Sequence, residues 1–344
     1  MVSVTAVIGL AAMLAAALLT ALVRKFALAR GVLDIPNRRS SHNQATPRGG
    51  GIAIVVSVTV ALLFLAARGS LPRELLLALV GGGIAVAAVG FADDRYTVGA
   101  GPRLVIHFLA AAWAVYWLGG LESVRVGADV VHLGWAGSVL ATLGIVWFLN
   151  LFNFMDGIDG IAACEAIFIA AAGALLSRGS DGVAPVAWVF AASCAGFLPW
   201  NWPPAKIFMG DVGSGYLGYV LAVLGLGAAH QHAAAPWTWL ILSAVFLLDA
   251  SVTLIRRLLR GDRVYEAHRS HAYQWLARRW GTHRRVTLAM LLVDMLWLLP
   301  CAVFATLRPS LAALTASLAL ALVLALAVLA GSGRREAPGR PTAR

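Results

Sequence analysis

The sequence predicts an all-α, polytopic integral membrane bundle of about ten to eleven transmembrane helices, and three observations predict it. Apolar residues make up 60% of the 344 positions and charged residues only 12%, against ~45–50% and ~25% in soluble domains. The apolar residues fall in continuous runs of spanning length, roughly 20 residues at 1.5 Å rise each. The cations concentrate on alternate connections between those runs. Together these exclude a disordered chain and an ordinary soluble enzyme, and the net charge of +11 reads as positive inner loops rather than nucleic-acid contact.

The first run, residues 2–23, has no cation before it and Arg24 and Lys25 after it. That is the reverse of a secretory leader, so it is expected to stay as the first span with a periplasmic N-terminus. Further runs bounded by charges, Gly and Pro fall at 49–67, 72–91, 102–118, 134–151, 158–177, 183–200, 212–229, 236–255, 286–307 and 309–331. With that orientation the inward segments (24–48, 92–103, 152–157, 201–211, 256–285 and 332–344) hold 22 of the 27 Lys and Arg. The outward ones hold only Arg68, Arg73, Arg125, Arg178 and Arg308, which supports the assigned orientation. A single transmembrane domain over 1–331 and a disordered basic tail over 332–344 are expected, with no internal repeat. Cys164, Cys194 and Cys301 lie apart in apolar runs and read as packing residues, not as a disulfide or zinc framework.

Four polar stretches fall at inward ends of spans, which places a site at one membrane face. Phe91-Ala92-Asp93-Asp94-Arg95 sets two adjacent carboxylates at the hydrocarbon edge, where like charges resist desolvation unless a cation neutralises them. A solvated helix end paired by Arg95 is the bland alternative. In NLFNFMDGIDG (150–160), Asn153, Asp156 and Asp159 recur every third residue, and Gly157 and Gly160 allow tight turns beside a ligand. The spacing is not that of an EF-hand loop, and an N-cap role accounts for Asp159 alone.

Phe208-Met209-Gly210-Asp211-Val212-Gly213-Ser214 opens the eighth span after a Pro-rich turn. Free helix N–H groups there suit an anion, and Asp211 suits a hard cation; a turn N-capped by Asp211 is the alternative. Residues 256–285 carry nine arginines with His268, His271 and His283. Arginine clusters suit bidentate phosphate recognition, and His268-Arg269-Ser270-His271 can bring two imidazoles to one substrate, although flanking arginines also anchor loops to anionic lipid. Inside the spans, Glu165, Asp249 and Asp294 are expected to face the bundle interior. Asp249, seven residues before Arg256, is expected either to pair with a loop or helix-end cation or to serve catalysis.

In order and spacing, TPRGGG (46–51), FADD (91–94), NLFNFMDGIDG (150–160), PPAKIFMGDVGS (203–214) and AHRSHAYQ (267–274) resemble the polyprenyl-phosphate N-acetylhexosamine-1-phosphate transferases. That family includes the phospho-MurNAc-pentapeptide translocase and the enzymes that initiate enterobacterial common antigen and dolichol-linked glycans. The resemblance implies transfer of a sugar 1-phosphate from a UDP-N-acetylhexosamine, or a deoxy or modified derivative, to undecaprenyl phosphate with release of UMP. It also implies a bacterial inner-membrane location, a site facing the cytoplasm, and dependence on Mg²⁺, with Mn²⁺ as a substitute.

By position, the resemblance implies Asp211 as the principal Mg²⁺ ligand and Asn153 as a second. It implies Phe208 stacked on uracil, Asp159 at the nucleobase, and Asp156 in the same nucleotide-side loop. Arg103 falls at the pyrophosphate, Arg269 belongs to the substrate-binding set, Asp93 and Asp94 are the catalytic pair, and His268 and His271 act beside the sugar. The AHRSHAYQ form departs from the HIHH-type run of the common-antigen enzyme and resembles O-antigen-initiating members, so initiation of O-antigen or another surface polysaccharide is expected. No nucleic-acid partner is expected, and a homodimer is a further expectation.

Two other classes compete. A polytopic secondary transporter would show inverted repeats and broken helices at the bilayer midplane, whereas these motifs gather at one face. An intramembrane aspartyl protease needs two aspartates facing each other from spans, and Asp211 sits in FMGD at a loop rather than in GxGD.

Overall fold

Each of the eleven apolar runs folds as a helix or a pair of helices, the form in which a chain in lipid satisfies its own backbone groups. The computed structural model describes residues 4–36, 44–177, 182–232, 234–263 and 268–335. Helices α1 (Val4–Arg30) and α2 (Ile52–Ala67) are joined by a loop in which β1 (Leu33–Asp34) and β2 (Thr46–Pro47) pair antiparallel. The third run is α3 (Arg73–Leu77), a π-helical turn (Ala78–Gly82) and α4 (Gly83–Tyr96), followed by α5 (Ala100–Leu118). An antiparallel hairpin, β3 (Ser123–Val126) and β4 (Asp129–His132), leads into α6 (Trp135–Met155), α7 (Ile161–Leu176), α8 (Val183–Asn201) and α9 (Asp211–Ala229). Then come α10 (Ala235–Leu242), α11 (Ala244–Leu259), α12 (Ala272–Trp280), α13 (His283–Val293), a second π turn (Asp294–Leu298), α14 (Leu299–Leu307) and α15 (Ala312–Ala330). Among the described residues, seven helical segments are long and apolar enough to cross a membrane, and eight if the bent pair α10–α11 is one span; α2 and α7 are shorter apolar helices. The protein is a polytopic helical membrane protein.

The bundle is built around α9. Of its spanning window 89% is buried, against 28% for α1, so α9 is enclosed by other helices while α1 faces outward. Close packing of α4 on α9 depends on Gly90, whose added Cβ would meet the Asp211 and Val212 backbone. Tyr219 of α9 donates its hydroxyl to the Ala78 carbonyl at 2.7 Å, which satisfies a backbone group at the π turn, where the helical ladder is interrupted. Glu165, Asp249 and Asp294 are 0%, 4% and 0% exposed, facing the interior as expected.

The structure departs from the sequence reading in four places. The run at 236–255 is not straight: α10 and α11 meet at 73°. Ser243 sits at that break and donates its hydroxyl back to the Trp239 carbonyl at 2.8 Å, a bond that bends helices. The segment 256–285, read as a basic loop, contains the nine-residue helix α12. The hairpin β3–β4 was not anticipated. Finally, the tail expected from residue 332 is docked at its start: Ser332 is fully buried, and the Gly333 N–H donates to the Ser270 carbonyl at 2.7 Å. Residues 336–344 lie outside the described residues.

Because Gly90 touches main chain that cannot move aside, Gly90→Ala should overpack the α4–α9 contact and cost about 1–3 kcal/mol. The expected readout is a lower melting temperature in detergent than for Gly101→Ala, whose Cβ would meet open space; equal values would show that the contact is loose.

Candidate active site

The site begins at the N-terminus of α9, where free N–H groups need acceptors. Gly210 turns the chain with φ +76°. The N–H groups of Asp211 and Val212 then donate to the two carboxylate oxygens of Asp94, at 2.9 and 3.2 Å. Asp94, from the end of α4, therefore caps α9, and Asp211 is the first residue inside the helix rather than its cap. The doublet lies within the last turn of α4, beyond the span boundary the apolar run suggested.

Two guanidinium groups neutralise the three carboxylates. Arg48 reaches Asp94 through Nε at 2.7 Å and Asp211 through Nη2 at 2.7 Å. Arg103, from the first turn of α5, bridges Asp211 at 3.0 Å and Asp93 through one Nη1, and Asp93 also accepts the Val98 N–H at 2.6 Å. Arg103, which the resemblance set at the pyrophosphate, thus joins Asp93 and Asp211 in this structure. Arg48 is the residue that sequence reasoning passed over; its signal was its position inside TPRGGG. Main-chain bonds deliver it: the Phe208 N–H donates to the Pro47 carbonyl at 2.8 Å, and the Gly50 and Gly51 N–H groups donate to Phe208 and Met209 at 2.9 Å each. Gly51 lies against the Gly213 backbone, where a side chain would not fit.

The 150–160 loop stands beside this knot. Asn153 donates its amide to the Ser214 hydroxyl at 3.1 Å, which joins α6 to α9 directly. Asp156 follows α6, and its carboxylate receives no hydrogen bond among the described residues; burial, and then the charge of Asp211, push it well above the usual carboxylate range. Asp159 serves as a tie. It accepts the Ala205 N–H at 3.0 Å, and its other oxygen lies 3.3 Å from Nδ1 of His283 on α13. Asn201 secures the same turn by accepting the Gly160 N–H and donating to the Ile207 carbonyl, both at 3.0 Å. Phe208 is half-buried, with its main chain held by residues 47–50.

The late loop repeats the capping device. Asp249 of α11 accepts the N–H groups of Ala272 and Tyr273 at 2.8 and 3.2 Å, and the Ser332 hydroxyl at 2.7 Å. Arg256, seven residues further on, donates to the Ser332 carbonyl at 2.7 Å rather than pairing with Asp249. Tyr273 donates its hydroxyl to the Phe154 carbonyl at 3.0 Å, which docks α12 onto the 150–160 loop. His271 is 2% exposed, stacks on His268 with ring centroids 4.9 Å apart, and lies 3.8 Å from Asp249. That places it within the packing, with His268 the more open ring. Arg269 is half-buried and accepts Arg278 at its carbonyl, at 2.9 Å; Ala267 lies outside the described residues. Burial, followed by the proximity of His271 and Arg257, pushes His268 down to about 3, so its ring is neutral near pH 7.

A cavity of about 660 Å³ opens beside the knot, with Arg103, His107, Asn150, Asn153 and Asp211 at its polar part and Val86, Leu104, Leu143, Val146 and Leu258 among its apolar walls. Among the described residues no three His, Cys, Asp or Glu side chains converge as a ready ligand set. The oxygen donors Asp211 and Asn153 nevertheless fit Mg²⁺, which takes one or two protein oxygens and completes its shell from phosphate and water.

Residues 76–229 match glycosyl transferase family 4. A Bacillus subtilis (strain 168) protein named as a probable undecaprenyl-phosphate N-acetylglucosaminyl 1-phosphate transferase is 30% identical, over 81% of this chain and 79% of that one. The decaprenyl-phosphate N-acetylglucosaminephosphotransferase of Mycolicibacterium smegmatis is 31% identical, over 83% and 79%. The undecaprenyl-phosphate alpha-N-acetylglucosaminyl 1-phosphate transferase of Yersinia pestis is 31% identical, over 79% and 78%.

The neutral His268 has a measurable consequence. Between about 3 and its unfolded value of about 6.5, the unfolded chain binds the proton that the folded chain refuses, so stability falls as pH is lowered through that window. Acidification from about pH 7 to about pH 5 should therefore lower the melting temperature of the wild type more than that of His268→Gln. Equal losses would show the ring to be solvated.

Proposed function

The chain belongs to glycosyl transferase family 4, and from that premise we propose that it transfers an N-acetylhexosamine 1-phosphate from a UDP-sugar to undecaprenyl phosphate. The observation that carries this reading is the position of Asp211, held between Arg48 and Arg103 at the polar part of a largely apolar cavity. A prenyl chain suits the apolar walls, and an anion suits Arg103 at the polar part.

In the proposed reaction, an oxygen of the lipid phosphate forms a bond to the β-phosphorus of the UDP-sugar while the bond from that phosphorus to the bridging oxygen breaks. UMP leaves with the bridging oxygen, and the product is a lipid diphosphate sugar. A phosphate monoester is already ionised near neutral pH, so the main demand is to bring two anions together and align them. Asp211 and Asn153 would hold Mg²⁺, which, when bound, supplies positive charge to the diphosphate. Arg103 and Arg48 neutralise the phosphates around it, and the 150–160 loop with Phe208 receives the nucleoside. His268 offers a neutral ring for hydrogen bonding on the sugar side.

The inward bias of Lys and Arg, 22 of 27, supports a site facing the cytoplasm in a bacterial inner membrane. The names of the relatives support an N-acetylhexosamine donor, and the AHRSHAYQ loop favours a deoxy or modified form for O-antigen or another surface polysaccharide. The bent pair α10–α11 is a broken span of the kind transporters use, but the family membership decides for transfer.

The test is purified protein with undecaprenyl phosphate, Mg²⁺ and a panel of UDP-N-acetylhexosamines, scored for UMP and a lipid diphosphate. Product with at least one donor is expected; none with any donor would overturn the reading. In the same assay Arg48→Gln should lower turnover by about 100-fold, and Asp211→Asn should raise the Mg²⁺ concentration needed for half-maximal rate. An Arg48→Gln rate within about threefold of wild type would leave that arginine as a fold contact only.

A further inference from the structure

We propose that Ser270 is a positioning residue for the donor: its hydroxyl holds Nδ1 of His268 so that the Nε2–H of that ring donates to the sugar, and residues 331–333 strap Ser270 in place. The inference deepens the transferase reading and rests on it. Ser270 is 4% exposed, and its hydroxyl oxygen lies 2.9 Å from Nδ1 of His268. The ring is neutral near pH 7, so one nitrogen carries a hydrogen and the other accepts. Among the described residues, Nδ1 is the acceptor within reach of the Ser270 hydroxyl. A buried hydroxyl hydrogen left unbonded is costly, so it goes to Nδ1, and the ring hydrogen sits on Nε2. Nε2 makes no hydrogen bond among the described residues and, unlike Nδ1 of the neighbouring His271, it is not enclosed. A donor of fixed direction therefore stands open on the loop assigned to the sugar side.

The strap follows α15 directly. Gly331 ends that helix with φ +106°, and Ser332 behind it is fully buried. The Gly333 N–H donates to the Ser270 carbonyl at 2.7 Å. The Ser332 hydroxyl donates to Asp249 at 2.7 Å, the carboxylate that also accepts the Ala272 and Tyr273 N–H groups. Arg256 donates to the Ser332 carbonyl at 2.7 Å, and Arg260 donates to the Gly333 carbonyl. Gly333 itself requires glycine, because its φ is +69° and an added Cβ would lie 2.8 Å from Cβ of Arg256. Ser270 is thus held by its main chain to the strap and by its side chain to the ring. Arg256 and Arg260 serve this attachment, which separates them from arginines that only meet lipid.

Steady-state kinetics on the full chain in nanodiscs test this, with the best UDP-sugar and undecaprenyl phosphate varied separately. Ser270→Ala should raise KM for the UDP-sugar about 10-fold with KM for undecaprenyl phosphate unchanged. Gly333→Ala should give the same one-sided rise, and neither substitution should add to the rise seen in a His268→Phe background. A merely structural contact would lower the active fraction, and so kcat, while leaving both KM values alone. That result, an unchanged donor KM in either variant, or equal rises in both KM values overturns the proposal. Nitrogen NMR on the chain labelled at its histidines reads the tautomer without turnover, His268 being identified by the signals lost in His268→Phe. The wild type should carry the hydrogen on Nε2, and Ser270→Ala should show a mixture of tautomers; hydrogen on Nδ1 in the wild type, or no change in the variant, overturns the proposal. If Gly333→Ala does not fold, Ser332→Ala takes its place under the same criteria. Wild-type protein that releases no UMP with any UDP-sugar would sink the transferase reading, while the tautomer series would still decide the Ser270 contact.

Discussion

The arrangement of the site depends on one bidentate contact, the Asp94 carboxylate accepting the first two N–H groups of α9. A helix N-terminus buried without acceptors is unfavourable, and α9 is the most enclosed helix of the bundle. Asp94 removes that cost and in doing so fixes α4 against α9. The consequence falls on Asp211, which as the first residue of the helix must project beside Asp94. Two carboxylates held so close repel, and the arrangement is tolerable only because Arg48 bridges them and Arg103 joins Asp211 to Asp93. Cap, close approach and charge clamp are therefore one device: Gly90 and Gly51 permit the approach, and the arginines make it electrostatically affordable.

The same physics recurs on α12. Asp249 accepts the first two N–H groups of a short helix, and that helix sends Tyr273 to the Phe154 carbonyl. Each buried aspartate on a long helix thus fixes a polar segment that follows it in the chain, and both segments are brought against the end of α6. Ser332 adds a contact from the far end of the chain, so the last helix helps to hold the late loop. A loop rich in arginine would otherwise have few apolar contacts with which to order itself.

Much of this was legible in the sequence because hydrophobic runs and charge bias are strong signals in a membrane protein. All eleven runs proved helical, and the polar motifs did converge through bonds such as Asn153 to Ser214 and Arg103 to Asp93. What the sequence did not show depends on three-dimensional partners. No spacing rule connects Arg48 to residues 94 and 211, and the sequence leaves Asp249 open between an ion pair and catalysis because the backbone groups it caps lie 23 and 24 positions away. The bend at Ser243 arises from a side-chain hydroxyl bonded back into the ladder, whereas the second π turn runs directly into Pro300, which has no N–H to continue it. Helix α12 was hidden by its arginines, which dominate the composition of its last turn.

The two members of the aspartate doublet are not equivalent, and hydrogen-bond capacity separates them. An ionised carboxylate offers about four acceptor sites. Asp94 spends three, on two N–H groups and on Arg48, and protonating it would weaken the cap that positions Asp211. Asp93 spends two, on the Val98 N–H and on Arg103, and Arg103 is the guanidinium that also holds Asp211. A phosphate drawing Arg103 toward itself would loosen Asp93 first and leave the Asp94 cap intact. Within the proposed reaction, Asp94 is accordingly the fixed element of the architecture, and Asp93 is the carboxylate whose charge can respond when substrate arrives.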